Sequence, residues 1–402
     1  MKKLISSMLA IAVLGSCTAC GSESSSESSS SSAQSETNGV INDDTKATAE
    51  EKMTEHIADT DKTIGIAMPA QELERWNKDG EYLKNRFETV GYSVELVYSN
   101  NDADQQKEDV QALIDKDVDL LLIAAVKGNT LVEPLEQAKE KDIPVVAYDR
   151  LIMDTDALTY YISFDNYAVG KLQGEYVSKT LNLNNPENKY NIEFVAGDAG
   201  DNNALYVFNG AYNTLKPYID KGILTVRSGK TAFEDVVTTG WTTENAKANM
   251  EATLSTYYVD QPLGIALCAN DSTALGVTQA LESTYTQENQ PLIIGQDGDI
   301  ENLKNIVDGK QAMTVYKNVN DEASVAFVVC KSILAGNTPA ASLLEDMPVE
   351  VNYDSGSYNN GKKYIMSYLL VPTVITKDNL QYLADTGIYQ WDDEHKYLDF
   401  AK

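Results

Sequence analysis

The chain has 402 residues, 43% of them hydrophobic, with 61 acids against 32 lysines and arginines and a formal net charge of −29. That length suits two or three domains with a sizeable core, and so acidic a body argues against nucleic acid and anionic membrane surfaces as partners. Two histidines, His56 and His395, are too few for a Ser-His-Asp triad or a His-rich metal site, so no catalytic residue, no metal and no cofactor is expected.

In chain order, Lys2 and Lys3 precede an apolar run from Leu4 to Leu14 that is too short to span a bilayer and ends in "LGSC". Residues 1–17 therefore read as the export signal of a bacterial lipoprotein. Cys17 follows a small residue and is the expected lipidation site, with Cys20 in "CTACGS" as the alternative. Residues 18–61 are serine-rich and acidic with few large apolar side chains, too little to offset chain entropy, and are expected to be a disordered tether. No later run of 18 apolar residues occurs, so membrane contact is expected only through the lipid, on the outer face of the cytoplasmic membrane.

From Lys62 onward, short β-rich runs alternate with longer segments of helical spacing. The runs cover 63–69, 93–99, 119–126, 144–149, 160–165, 191–197, 223–229, 264–270, 292–297 and 312–317. Between the first two, "ELERWNKDGEYLKNRFETVG" places Leu73, Trp76, Leu83 and Phe87 on compatible helical faces. Continuous apolar strands alternating with helices predict parallel sheets covered on both sides, and ten strands divide best into two sets of about five. Asp165, Asp201, Asp271 and Asp299 stand where helices begin and suit N-cap or first-turn roles. Cys268 and Cys330 lie in apolar runs and read as buried small hydrophobes.

Ligands of open α/β sheets bind outside the carboxyl ends of the strands. In this chain those ends carry Asp149 and Arg150, Asp198 and the "DNNA" of 201–204, Asn270 and Asp271, Gln296 and Asp297, and Lys317; Trp76 and Trp241 follow two others. Carboxylates, amides, guanidinium and indole together match a sugar: hydroxyls both donate and accept, and pyranose C–H faces pack on aromatic rings. Any one of these residues has a structural explanation, and the "DR" pair alone reads as a salt bridge. Neither G-x-G-x-x-G nor a P-loop follows the first strand, so a dinucleotide or nucleoside triphosphate is not expected.

The stretches "ERW.KD" (74–79), "AYDRLI" (147–152), "ISFDN..VG.LQ" (162–173), "DNNA" (201–204), "LKPYIDKG" (215–222), "NDSTALG" (270–276), "GQDGDI" (295–300) and "MTVYK" (313–317) resemble, in order, the type I solute-binding proteins of sugar ABC importers. The similarity is greatest to the multiple-monosaccharide-binding and D-xylose-binding receptors, with "SYLLVP" and "DTGIY" resembling the multiple-sugar branch and "AND" (269–271) the xylose type.

The resemblance implies an α/β type I periplasmic-binding-protein fold: two doubly wound parallel-sheet domains joined by three hinge crossings, with a ligand cleft between them. Residues 62–164 plus 318–368 would form the N-terminal lobe and 165–317 plus 369–402 the C-terminal lobe, with crossings near 164–166, 317–318 and 369–371. It implies sugar contacts from Arg75, Asp149, Arg150, Asp201, Asn203, Asn270, Asp297 and Lys317, with Trp76 and Trp241 stacking. On this reading Asp149 and Arg150 hold each other in place. The expected activity is capture of a monosaccharide, an aldose such as xylose, glucose, galactose or arabinose, by a monomer that delivers it to an ABC permease and its ATPase. A sensor that presents bound sugar to a chemotaxis or signalling receptor, and a receptor for D-xylose alone, are the alternatives.

Overall fold

The computed structural model describes residues 61–71 and 74–401. The expected signal, the tether, Cys17 and Cys20 lie outside them. Ten strands lie in the ten apolar runs: β1 (Thr63–Met68), β2 (Ser93–Tyr98), β3 (Leu120–Ile123), β4 (Val145–Tyr148), β5 (Leu158–Phe164), β6 (Tyr190–Val195), β7 (Leu224–Thr225), β8 (Ile265–Cys268), β9 (Leu292–Asp297) and β10 (Met313–Tyr316). Five more follow, which the apolar pattern did not reveal: β11 (Val351–Asp354), β12 (Met366–Leu370), β13 (Thr373–Thr376), β14 (Tyr389–Trp391) and β15 (Leu398–Phe400).

The strands form a seven-stranded sheet in the order β11-β12-β5-β4-β3-β1-β2, a six-stranded sheet in the order β13-β10-β9-β8-β6-β7, and the separate hairpin β14-β15. Every residue of β3, β4, β8 and β10 is buried, as strands covered on both faces require. Alternate residues of the first sheet feed two cores: Ile64, Ile66, Leu122 and Val146 pack on one face, Ala67, Leu121, Val145 and Ala147 on the other. The second sheet divides likewise, with Ile192 and Ile265 on one side and Val195, Ala266 and Cys268 on the other. Cys268 and Cys330 are free and buried.

The ten strands of the apolar runs pair parallel, as expected, and within the two large sheets antiparallel pairing enters only with two later strands. β11 pairs antiparallel with β12, and β13 antiparallel with β10, so each sheet ends in an antiparallel edge. The β7 run, 223–229 in the sequence pattern, holds only a two-residue strand.

Chain direction explains how both sheets face one cleft. After β5 of the first sheet, the chain enters helix Asn166–Thr180, whose Val169 and Val177 belong to a core of the second. After β10 of the second, it enters helix Val319–Leu334, whose Val325 and Phe327 belong to a core of the first. A third passage runs from β12 to β13 through residues 371–372. Among the described residues, no helix is long and apolar enough to cross a membrane.

Candidate functional site

Residues at the carboxyl ends of both sheets line one cavity of about 550 Å³. All ten residues expected to contact a sugar border it: Arg75, Trp76, Asp149, Arg150, Asp201, Asn203, Trp241, Asn270, Asp297 and Lys317. Gln296, Thr242, Thr243, Glu244 and Phe400 also line it.

Asp149 follows the last residue of β4 in left-handed backbone, φ 57°. Its carbonyl accepts from the Tyr161 hydroxyl at 2.8 Å, the Ser163 hydroxyl at 2.9 Å and Asn203 Nδ2 at 2.9 Å, which pins that conformation. Trp241 (φ 59°) and Asp297 (φ 108°) also lie at positive φ. Three cavity residues held in sparsely populated backbone are a mark of a site whose geometry is maintained against local preference.

The charges form two sets. Arg75, from helix Glu74–Thr89, places Nη2 2.5 Å from Asp149 Oδ2 and 3.1 Å from Glu322 Oε2, with Nε 3.7 Å from Asp79 Oδ2. Lys317, at the end of β10, bridges Asp149 Oδ2 at 3.6 Å and Asp297 Oδ1 at 3.5 Å, so one ammonium connects acids from the two sheets. Arg150 instead places Nε 3.1 Å from Asp201 Oδ2 and donates from Nη1 to the Ala125 and Val126 carbonyls at 3.1 and 3.3 Å.

The expected mutual clamp of Asp149 and Arg150 is therefore wrong: each pairs with another residue. Side chains of neighbouring residues leaving a strand point apart, and the left-handed backbone at Asp149 turns its carboxylate toward Arg75.

Burial works against ionisation of Asp149, but the Arg75 guanidinium, then Lys317 and Arg150, override it and hold the carboxyl below the usual range. Asp201 is pushed up by burial, which Arg150 only partly opposes. Burial pushes Asp79 up to about 7 despite Arg75, and raises Glu322 well above its ordinary value, with Asp149 adding to the effect.

The amides have double duties. Asp201 caps helix Asn202–Asp220, accepting from Asn203 N at 2.9 Å, while Asn203 Nδ2 reaches Asp149. Asn270 caps helix Asp271–Thr284 through Thr273 N at 3.0 Å, and its Nδ2 lies 3.4 Å from Asp297 Oδ2. Asp271, which the sequence places beside Asn270 at a strand end, is a structural carboxylate. It accepts from Gly298 N, Asp299 N and Thr314 Oγ1 at 3.0 Å and from Gln311 Nε2 at 2.9 Å. Of the other expected caps, Asp165 accepts from Ala168 N at 3.0 Å and Asp299 makes no side-chain cap bond.

The two tryptophans differ. Trp76 is buried, with the guanidinium carbons of Arg75 and Arg150 at 4.6 and 5.1 Å from its ring centre, so it supports two arginines by cation–π contact as well as bordering the cavity. Trp241 is half-buried and lies flat against Gly197, where a Cβ would stand 2.1 Å from the indole. Asp198 Oδ2 accepts from Gly240 N at 2.5 Å and fixes the loop that carries it.

Trp241 Nε1, Gln296 Oε1 and Asp297 Oδ1 are buried polar atoms that make no hydrogen bond within the protein. Groups of this kind ordinarily find partners; Asp297 Oδ1 has the Lys317 ammonium at 3.5 Å, and the two left without one, Trp241 Nε1 and Gln296 Oε1, mark the cavity as a place for a polar ligand. Asp79 and Glu322, which sit behind Arg75, were missed in the sequence. The Arg75–Asp79 spacing of four on a predicted helix was the available signal; Glu322 had none.

The model of the periplasmic binding protein domain matches residues 64–338. The chain is 35% identical to the multiple sugar-binding periplasmic protein SbpA of Azospirillum brasilense, over 83% of this chain and 91% of that one. It is 33% identical to the D-xylose-binding periplasmic protein of Escherichia coli K12, over 79% and 88%. Among solved structures, it matches a Clostridium phytofermentans ABC transporter solute-binding protein with bound β-D-glucose at 42% identity and a TM-score of 0.76, covering 83% of this chain and 99% of that one. A Chloroflexus aurantiacus carbohydrate transporter solute-binding protein in complex with D-glucose matches at 29% identity and a TM-score of 0.70, covering 81% and 96%.

Proposed function

We propose that this chain, which belongs to the periplasmic binding protein family, binds a neutral monosaccharide in the cavity between its two sheets and hands it to an ABC permease. The observation that carries the reading is the convergence of ten sugar-competent side chains from both sheets on one cavity that also holds an unpartnered buried donor and an unpartnered buried acceptor. The two D-glucose complexes among the matched structures and the multiple-sugar and xylose receptors among the relatives support an aldose as the ligand.

Asp149, Asp201, Asp297 and the two asparagines serve as acceptors, or as amide donors, for hydroxyls; Arg75, Arg150 and Lys317 donate. Trp241 offers its face to the C–H side of the ring. A sugar touching groups on both sheets favours the closed arrangement by its differential affinity, with the chain passages at 164–166, 317–318 and 371–372 as hinges. The exported, lipid-anchored placement rests on the Leu4–Cys17 stretch, and radiolabelled palmitate incorporated by the wild type and lost in Cys17→Ser tests it.

Isothermal titration of the folded chain with D-glucose, D-xylose, D-galactose and L-arabinose tests the ligand class. Saturable binding of several supports a multiple-sugar receptor, binding of xylose alone the narrower reading suggested by "AND" at 269–271, and binding of none removes the proposal.

A further inference from the structure

Beside the sugar cavity lies a second one of about 460 Å³, lined in part by Tyr82, Tyr316, Val319, Ile388 and Tyr389. Five residues border both cavities: Arg75, Asp297, Asp299, Lys317 and Phe400. Four are charged, and three of those belong to the ion-pair set around Asp149. Phe400 is the one apolar member of the shared wall.

Its position is held from two directions. In β15, Phe400 stands opposite Tyr389 of β14, and the two rings stack with centres 5.3 Å apart and planes 29° from parallel. From helix Glu74–Thr89, which packs on the first sheet, Lys78 places its ammonium 3.0 Å from the Phe400 ring centre. An aromatic ring stacked on one neighbour and engaged by a cation from another part of the fold is a fixed wall.

We propose that Phe400 is the partition that confines the ligand to a single ring, a specificity-determining role that rests on the sugar-binding reading above. A sugar seated against Asp149, Lys317 and Trp241 and extended by a second ring toward the neighbouring cavity must cross the wall that Phe400 occupies. The space beyond suits a pyranose: Tyr82, Tyr316 and Tyr389 offer aromatic surface for C–H faces, and Thr386 and Asn320 offer hydrogen bonds. Removing the ring takes away the one apolar part of the shared wall without touching an ion pair.

The test is isothermal titration of the wild type, Phe400→Ala and Phe400→Tyr with D-glucose and with cellobiose, maltose and gentiobiose, which extend glucose through different oxygens. Phe400→Ala should raise the disaccharide-to-glucose affinity ratio at least about tenfold for one of the three, the scale of discrimination by pocket shape. Phe400→Tyr, which keeps the ring, should hold the wild-type ratio. Phe400→Val makes the same test with a smaller truncation if the alanine variant does not melt cooperatively. An unchanged ratio in folded truncation variants, or a wild type that binds a disaccharide as tightly as glucose, overturns the partition while leaving the sugar-binding reading intact. Failure of the wild type to bind any monosaccharide overturns both.

Discussion

Asp79 gives a pH dependence that can be worked from the structure. It is 1% exposed, its ion-pair partner is Arg75 Nε at 3.7 Å, and burial raises its pKa to about 7. The unfolded chain holds an aspartate near 3.9, so between these values the native state binds the extra proton. Because the folded value is raised, the associated stability is fully present below the unfolded value and is lost as pH rises through the folded one. From pH 4.5 to 7.5 the loss assigned to this group is about 3 kcal/mol, at 1.36 kcal/mol per pH unit over the part of the window in which only the native carboxyl is protonated. Glu322 and Asp201 are raised too and add slopes of the same sign, so the contribution of Asp79 has to be isolated as a difference. Urea unfolding of wild type and Asp79→Asn at the two pH values isolates it: the wild type should lose about 3 kcal/mol more than the variant. Equal losses in the two proteins would refute the assignment of a buried, protonated Asp79.

Two substitutions separate site from scaffold. Gly197→Ala places a Cβ where the Trp241 indole lies, 2.1 Å from its ring, so the indole must move; titration should show sugar affinity down at least about tenfold, consistent with loss of a stacked aromatic contact. Asp271→Ala strips the acceptor from two backbone amides, Thr314 and Gln311 and should destabilise the chain by on the order of 3 kcal/mol in urea, as buried donors left unsatisfied do.

The alternation of apolar runs with helical spacing was enough to locate β1 to β10, because fully buried strands declare themselves by uninterrupted hydrophobicity. β11 and β13 escaped: "VNYD" and "TVIT" are short, half-buried edges, and the antiparallel partner of β13, β10, is far away in sequence. The site was legible as a set of positions, since strand ends are where open sheets place ligands. Its wiring was not. Nothing local says that Asp149 adopts φ 57° and meets Arg75, 74 residues earlier, rather than Arg150 beside it. Glu322 was hidden for the same reason, as a residue on a helix after β10 that returns to the first sheet and there meets Arg75. Phe400 acquires its place through the β14–β15 pairing and the Lys78 ammonium, more than 300 residues earlier in the chain.

Two of the three tryptophans, Trp76 and Trp241, border the cavity, while Trp391 lies in the β14–β15 hairpin with its Nε1 donating to Gln381 at 2.8 Å. Intrinsic fluorescence titration with D-glucose and D-xylose therefore tests sugar binding at the cavity itself. A sugar seated against Trp241 gives a saturable change that survives Trp391→Phe and is lost or sharply reduced in Trp241→Phe. Saturable binding by calorimetry with a signal carried by Trp391 alone, or with Trp76 and Trp241 both silent, would place the sugar outside this cavity.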